Sequence, residues 1–102
     1  MGLTIVLEGE DGEKFAVIED PKNLLARLLP DASDESFACL RFVDPYQITT
    51  FNQRQMVPLI KDVQRVASRA VTAEEKHVLD AVLDIASKCA AEPHLYIRFY
   101  GD

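Results

Sequence analysis

The segment His94-Leu95-Tyr96-Ile97-Arg98-Phe99-Tyr100, near the end of this 102-residue chain, decides the fold. Strict alternation predicts a β-strand with one buried side, and here the two sets are Leu95, Ile97, Phe99 and His94, Tyr96, Arg98, Tyr100. Because the strand follows two helical segments, we expect it to insert beside a strand from the first half of the chain.

Two helical patterns precede this strand, and each begins with a capping sequence. In Asn52–Gln55 and in Thr72–Glu75, the first and fourth side chains have the spacing that satisfies backbone amides at a helix start. Apolar residues then recur at helical period up to position 70 and up to position 89. Pro58 lies deep enough in the first pattern to predict a kink, or a helix start nearer Gln55.

The first part of the chain favours strands. Residues 3–8 and 15–19 alternate around Asp11-Gly12 and predict a hairpin. Asp20-Pro21 predicts the cap and first position of a short helix that stops before Pro30. Phe37–Val43 predicts a third strand, with Ala38, Leu40 and Phe42 on one face, and Ile48–Phe51 predicts a further brief strand.

The order of these elements indicates the fold class. Strand, strand, helix, strand, brief strand, helix, helix and strand match neither a regular βαβ alternation nor a helical bundle. We therefore expect an α+β fold in a single domain over residues 1–102. Its sheet is mainly antiparallel with four to five strands, and two to three helices pack on one face.

The charge of the chain is negative and unevenly placed. The formal net charge is −6, and residues 1–51 hold ten acidic and four basic residues, whereas residues 52–102 hold seven of each. This balance opposes docking on nucleic acid or on an anionic membrane, since both require basic residues. Because we find no signal sequence or spanning segment, we expect a cytoplasmic protein. Acidic loops at 8–13 and 31–35 favour attraction of a basic partner, although acidic loops also serve solubility.

The sequence predicts no enzyme. Cys39 and Cys89 lie in no catalytic sequence, so we expect both to pack in the core. Glu74-x-x-His77 has metal-site spacing but occurs once, whereas carboxylate-bridged sites need it twice. We expect no catalytic residues, no metal ligands and no cofactor.

A polar and aromatic sheet face is one candidate binding surface. Arg41 and Arg98 each lie inside an apolar strand pattern, and a shared face adds His94, Tyr96 and Tyr100. Tyrosine and arginine dominate the energetics of protein interfaces, which favours binding. The alternative is that these residues form the solvated face of an antiparallel sheet.

Three segments resemble small acidic bacterial immunity proteins of contact-dependent growth inhibition toxin systems. They are Leu40-Arg41-Phe42-Val43-Asp44-Pro45-Tyr46, Thr50-Phe51-Asn52-Gln53-Arg54-Gln55 and His94-Leu95-Tyr96-Ile97-Arg98-Phe99-Tyr100-Gly101-Asp102. The resemblance implies that the chain binds and neutralises the toxic C-terminal domain of a cognate effector. Such toxins are commonly nucleases, whose clefts are basic.

A basic toxin domain would place the interface on the acidic first half of the chain, by charge complementarity. The residues expected to contact it are Glu10, Asp11, Glu13, Asp31, Asp34, Glu35, Asp44 and Tyr46. The competing surface is the sheet face with Arg41, His94, Tyr96, Arg98 and Tyr100.

Two other kinds of function remain open. One is an adaptor that pairs through a sheet edge, and the other is a ligand-binding protein in which Arg41 and Arg98 clamp a carboxylate or phosphate. For the immunity function we expect a monomer or a weak dimer.

Overall fold

The computed structural model describes residues 2–101 and forms one antiparallel sheet with three α-helices. The elements are β1 (Thr4–Gly9), β2 (Lys14–Glu19), α1 (Leu24–Leu28), β3 (Ile48–Asn52), α2 (Met56–Ala67), α3 (Ala73–Ala91) and β4 (Leu95–Tyr100). Two short 3₁₀ turns, Leu40–Phe42 and Gln53–Gln55, complete them. The α+β fold is therefore confirmed, and no described helix is long and apolar enough to cross a membrane.

The last strand lies inside the sheet. The strand order is β2-β1-β4-β3, and every pairing is antiparallel. Along β4, Tyr100 is opposite Thr4 on one side and Ile48 on the other, and Tyr96 is opposite Glu8 and Asn52. The expectation that this strand inserts beside an early one is confirmed.

The core lies between the sheet and the helices. Alternate strand residues such as Ile5, Ile97 and Phe99 are fully buried against Leu59 of α2 and Leu79 of α3. Burial of each such side chain stabilises the fold by about 1.5–3 kcal/mol. The other set of strand residues therefore faces away from the helices.

Both predicted helix caps are present. The side chains of Asn52 and Thr72 accept the amides of Gln55 and Glu75, whose own side chains accept back from the capping residues. The α-helical part of α2 begins at Met56, so Pro58 lies in its first turn, where a missing amide costs little.

The first helix begins later than the sequence predicts. Pro21 precedes α1, which starts at Leu24. The N-cap residue is Asn23 rather than Asp20. The Asp20 carboxylate still accepts amides of the first turn, with Oδ1 bound to the Leu24 amide at 2.9 Å and Oδ2 to the Leu25 amide at 2.7 Å.

The prediction of a strand over Phe37–Val43 is wrong. The buried carboxylate of Asp62, on α2, accepts the backbone amides of Ala38 at 3.4 Å, Cys39 at 2.7 Å and Leu40 at 3.0 Å. A strand needs those amides for its ladder, so the segment bends into the 3₁₀ turn instead. The turn leaves Phe42 58% exposed and places Arg41 outside the sheet.

The role of Asp62 predicts a large stability loss on truncation. We expect Asp62→Ala to lower the free energy of unfolding by about 3 kcal/mol, because it leaves buried amides without acceptors. Denaturant unfolding measures this, with Asp80→Ala at an exposed position of α3 as the control. A loss for Asp62→Ala no larger than that of the control would contradict this account of the segment.

Candidate functional site

One face of the sheet carries no helix among residues 2–101, and we call it the outer face. It is formed by the strand residues whose side chains point away from the core. Across its middle row, Val17, Val6, Arg98 and Thr50 lie on successive strands. Arg98 thus lies near the centre of the outer face, between Tyr96 and Tyr100 along β4.

A buried carboxylate lies on this face. Glu8 is only 3% exposed, and the Tyr100 hydroxyl donates a hydrogen bond to its Oε2 atom. Tyr100 is opposite Thr4 on β1, four residues from Glu8, so this hydrogen bond spans the position of Val6 along the strand. Val6 is only 1% exposed on this face.

The hydrogen bond with Glu8 also changes the pKa of Tyr100. The hydrogen bond to Glu8 raises the pKa of Tyr100, because the carboxylate stabilises the neutral phenol and repels the phenolate. The Arg98 guanidinium opposes this rise but does not cancel it. Tyr100 therefore stays neutral, and a hydrogen-bond donor, through the physiological range.

The guanidinium of Arg98 is incompletely used by the fold. Its Nη1 atom lies 3.9 Å from Glu8 Oε1, which is beyond hydrogen-bond length. Its Nε atom is buried without a hydrogen-bond partner among residues 2–101, while the side chain as a whole is 42% exposed. The exposed part of the guanidinium can therefore donate hydrogen bonds to a carboxylate or phosphate, which guanidinium binds in a bidentate manner.

The structure does not bring Arg41 to this site. Arg41 Nη1 donates to the Ala32 carbonyl at 3.0 Å, and its guanidinium stacks on Phe42 with 4.3 Å to the ring centroid. The predicted clamp of Arg41 with Arg98 is therefore wrong, because Arg41 is on the 3₁₀ turn and not on a strand.

His94 lies at the end of the sheet rather than within the face. It adopts a positive φ of 71° in the turn before β4, and its exposed ring lies 2.7 Å from the Glu10 carboxylate. Tyr96 follows on β4 and is half-buried on the outer face.

The expected acidic contact residues occupy three separate places. Glu10, Asp11 and Glu13 are exposed in the β1–β2 turn, at one end of the sheet. Asp44 and the 77% exposed Tyr46 precede β3 and lie at the opposite end. The remaining three, Asp31, Asp34 and Glu35, belong to the loop after α1.

That loop is fixed by short turns and packs beside α2. Asp31 and Asp34 accept hydrogen bonds from Ser33 and Ser36, and these bonds lower the pKa of both carboxyl groups. Arg65 of α2 donates to the Ser36 carbonyl at 3.1 Å. Both carboxyl groups are therefore ionised at neutral pH, and the loop lies on the helical side of the molecule.

Both cysteines are buried, as the sequence predicts. Burial raises the pKa of Cys39, and raises that of Cys89 to about 11, so both thiols stay protonated at neutral pH. Within residues 2–101, no group of three or more His, Cys, Asp or Glu side chains has the arrangement of a metal site.

Glu8 is the site residue that sequence reasoning missed. Its position on the outer side of β1 follows from the alternation of Thr4, Val6 and Glu8. Its burial depends on the Tyr100 ring, however, and that requires the pairing of β1 with β4.

Comparisons with protein-family models, curated proteins and solved structures give no match.

The Glu8–Tyr100 contact can be tested by titration. We expect Glu8→Gln to lower the pKa of Tyr100 toward the ordinary value, because it removes the charge that repels the phenolate. An ultraviolet titration measures phenolate formation, and Tyr100→Phe assigns the signal. In the wild type, stability should fall as pH rises above the ordinary tyrosine pKa, since only the unfolded chain then loses that proton. An identical Tyr100 titration in Glu8→Gln would contradict the contact.

Proposed function

We propose that this chain is an immunity protein that binds and neutralises the toxic C-terminal domain of a contact-dependent growth inhibition effector. The resemblance of three segments to such proteins suggests the class. In this proposal the chain acts by covering a basic surface of the toxin, without catalysis.

The main observation in support of the proposal is the negative charge exposed on the surface of the chain. The chain has a net charge of −6, and the β1–β2 turn and the 31–35 loop expose most of the acidic candidates. Complementary charge raises association rates toward roughly 10⁸–10⁹ M⁻¹s⁻¹ at low salt. Rapid capture suits an inhibitor that must bind before the toxin acts.

A second candidate function is ligand binding at the outer face. The partly exposed guanidinium of Arg98 favours it, since a carboxylate or phosphate would accept hydrogen bonds from it. Without Arg41, a single arginine would provide the positive charge of such a site.

Co-purification tests the proposed function directly. The chain is expressed with the C-terminal toxin domain encoded immediately upstream, and growth is compared with and without the chain. A stable complex and restored growth are expected. Absence of both would reject the immunity function, and titration with inorganic phosphate and acetate would then test the ligand-binding alternative.

Charge removal should slow capture. We expect E10Q/D11N/E13Q and D31N/D34N/E35Q each to lower the association rate constant several-fold at low salt, with a weaker salt dependence. Asparagine keeps the side-chain oxygen that accepts the Ser33 and Ser36 amides, so folding should be preserved. Stopped-flow association measures the rate.

The control is D80N/D84N/E92Q, which removes three charges from the second half of the chain. An equal slowing by the control would mean that net charge alone matters. Unchanged rates in both acidic-half variants would remove these two loops from the encounter surface.

A further inference from the structure

We propose that the outer face of the sheet, centred on Arg98, is the docking surface for a protein partner that presents a carboxylate flanked by basic side chains. The identity of the partner rests on the proposed function, whereas its surface chemistry comes from the charges on this face.

The charge pattern runs along the strands. Arg98 provides the cation at the centre, where the buried Glu8 carboxylate 3.9 Å away offsets part of its charge, and the acidic β1–β2 turn lies beyond one end of the face. Lys14 and Arg54 reduce the charge there, but Glu10, Asp11 and Glu13 outnumber them. At the other end, Glu19 closes β2 and Asp44 precedes β3. A six-residue strand spans roughly 20 Å, so a partner with a carboxylate centre and basic ends would match all three regions.

The centre of the face has the composition of an interface anchor. Tyr96, Arg98 and Tyr100 lie on one strand, and Val17 on β2 and Ile48 on β3 expose apolar surface. Tyrosine and arginine are enriched among the residues that dominate binding energy, and these cluster near interface centres.

The hydrogen bonding of Arg98 indicates which chemical group of a partner it would bind. The aliphatic part of the side chain is packed so that Nε is buried, yet Glu8 does not form a hydrogen bond with the guanidinium. Glu8 instead accepts from Tyr100. Because 42% of the side chain is exposed, a partner carboxylate can reach the guanidinium and bind it in a bidentate manner.

The outer face alone is smaller than a standard interface, so we expect the loops at its ends to contact the partner as well. Four strands spaced about 4.8 Å apart cover roughly 20 × 20 Å, or about 400 Å². A standard interface needs about 800 Å² from each partner. Contact with the acidic turns at both ends would supply the remainder, in agreement with the charge pattern.

The test measures the affinity of the toxin domain encoded upstream for the wild type and for Arg98→Gln. We expect Arg98→Gln to weaken binding at least 10-fold, mainly through faster dissociation, because it removes the anchor. Arg69→Gln, an exposed arginine of the same charge outside the sheet, should bind within 2-fold of the wild type. Arg98→Lys should restore only part of the loss, since lysine cannot form the bidentate contact.

A second pair of variants keeps the test informative if Arg98→Gln unfolds. Thr50→Arg places a large cation beside Arg98 on the exposed edge strand, and Gln64→Arg makes the same charge change on α2. Only Thr50→Arg should weaken binding. Circular dichroism confirms that each variant is folded.

Three outcomes would overturn the proposal. Binding that is insensitive to both Arg98→Gln and Thr50→Arg would place the docking surface elsewhere and leave the immunity function intact. Dimerisation of the wild type that Thr50→Arg abolishes would assign the face to a second copy of this chain. Failure of the wild type to bind the toxin domain would reject the proposed function together with this inference.

Discussion

The insertion of β4 between β1 and β3 is the constraint on which the rest of the structure depends. It joins the end of the chain to its first strand and to the edge strand before α2. Every residue of β4 then has one of two environments, the core beneath α2 and α3 or the outer face. The same pairing that buries Ile97 and Phe99 lines up Tyr96, Arg98 and Tyr100 on the opposite side.

Much of this arrangement could be predicted from local patterns. The alternation in β4 and the capping boxes of the two longer helices depend on residues close together in sequence, so they survive in the fold. Phe37–Val43 could not be assigned locally, because Asp62, about twenty residues later, removes its amides from any ladder. The buried residues of this segment, Phe37, Cys39, Leu40 and Val43, do not alternate as those of a strand would.

The site was only partly predictable for the same reason. The tyrosines and Arg98 follow from the alternation of one strand, whereas the cover of Glu8 by Tyr100 depends on a register set by two distant strands. Arg41 was assigned to this face because its surroundings are apolar. Those surroundings prove to be a 3₁₀ turn at the surface, where Arg41 stacks on the exposed ring of Phe42.

Charge and shape have separate roles in the proposed complex. The acidic β1–β2 turn and the 31–35 loop act at a distance and determine how fast a basic partner arrives. Arg98 and its neighbouring tyrosines act at contact and determine how long the partner stays. A fold with all its helices on one side of the sheet leaves the other side available for this contact.

The most direct test of the docking surface is a nuclear magnetic resonance comparison of the free chain with its complex with the toxin domain. The account predicts that the Arg98 Nε–H signal and the ring signals of Tyr96 and Tyr100 change most, followed by the amides of Glu10 to Glu13. Changes confined to α2, α3 and the 31–35 loop would contradict it.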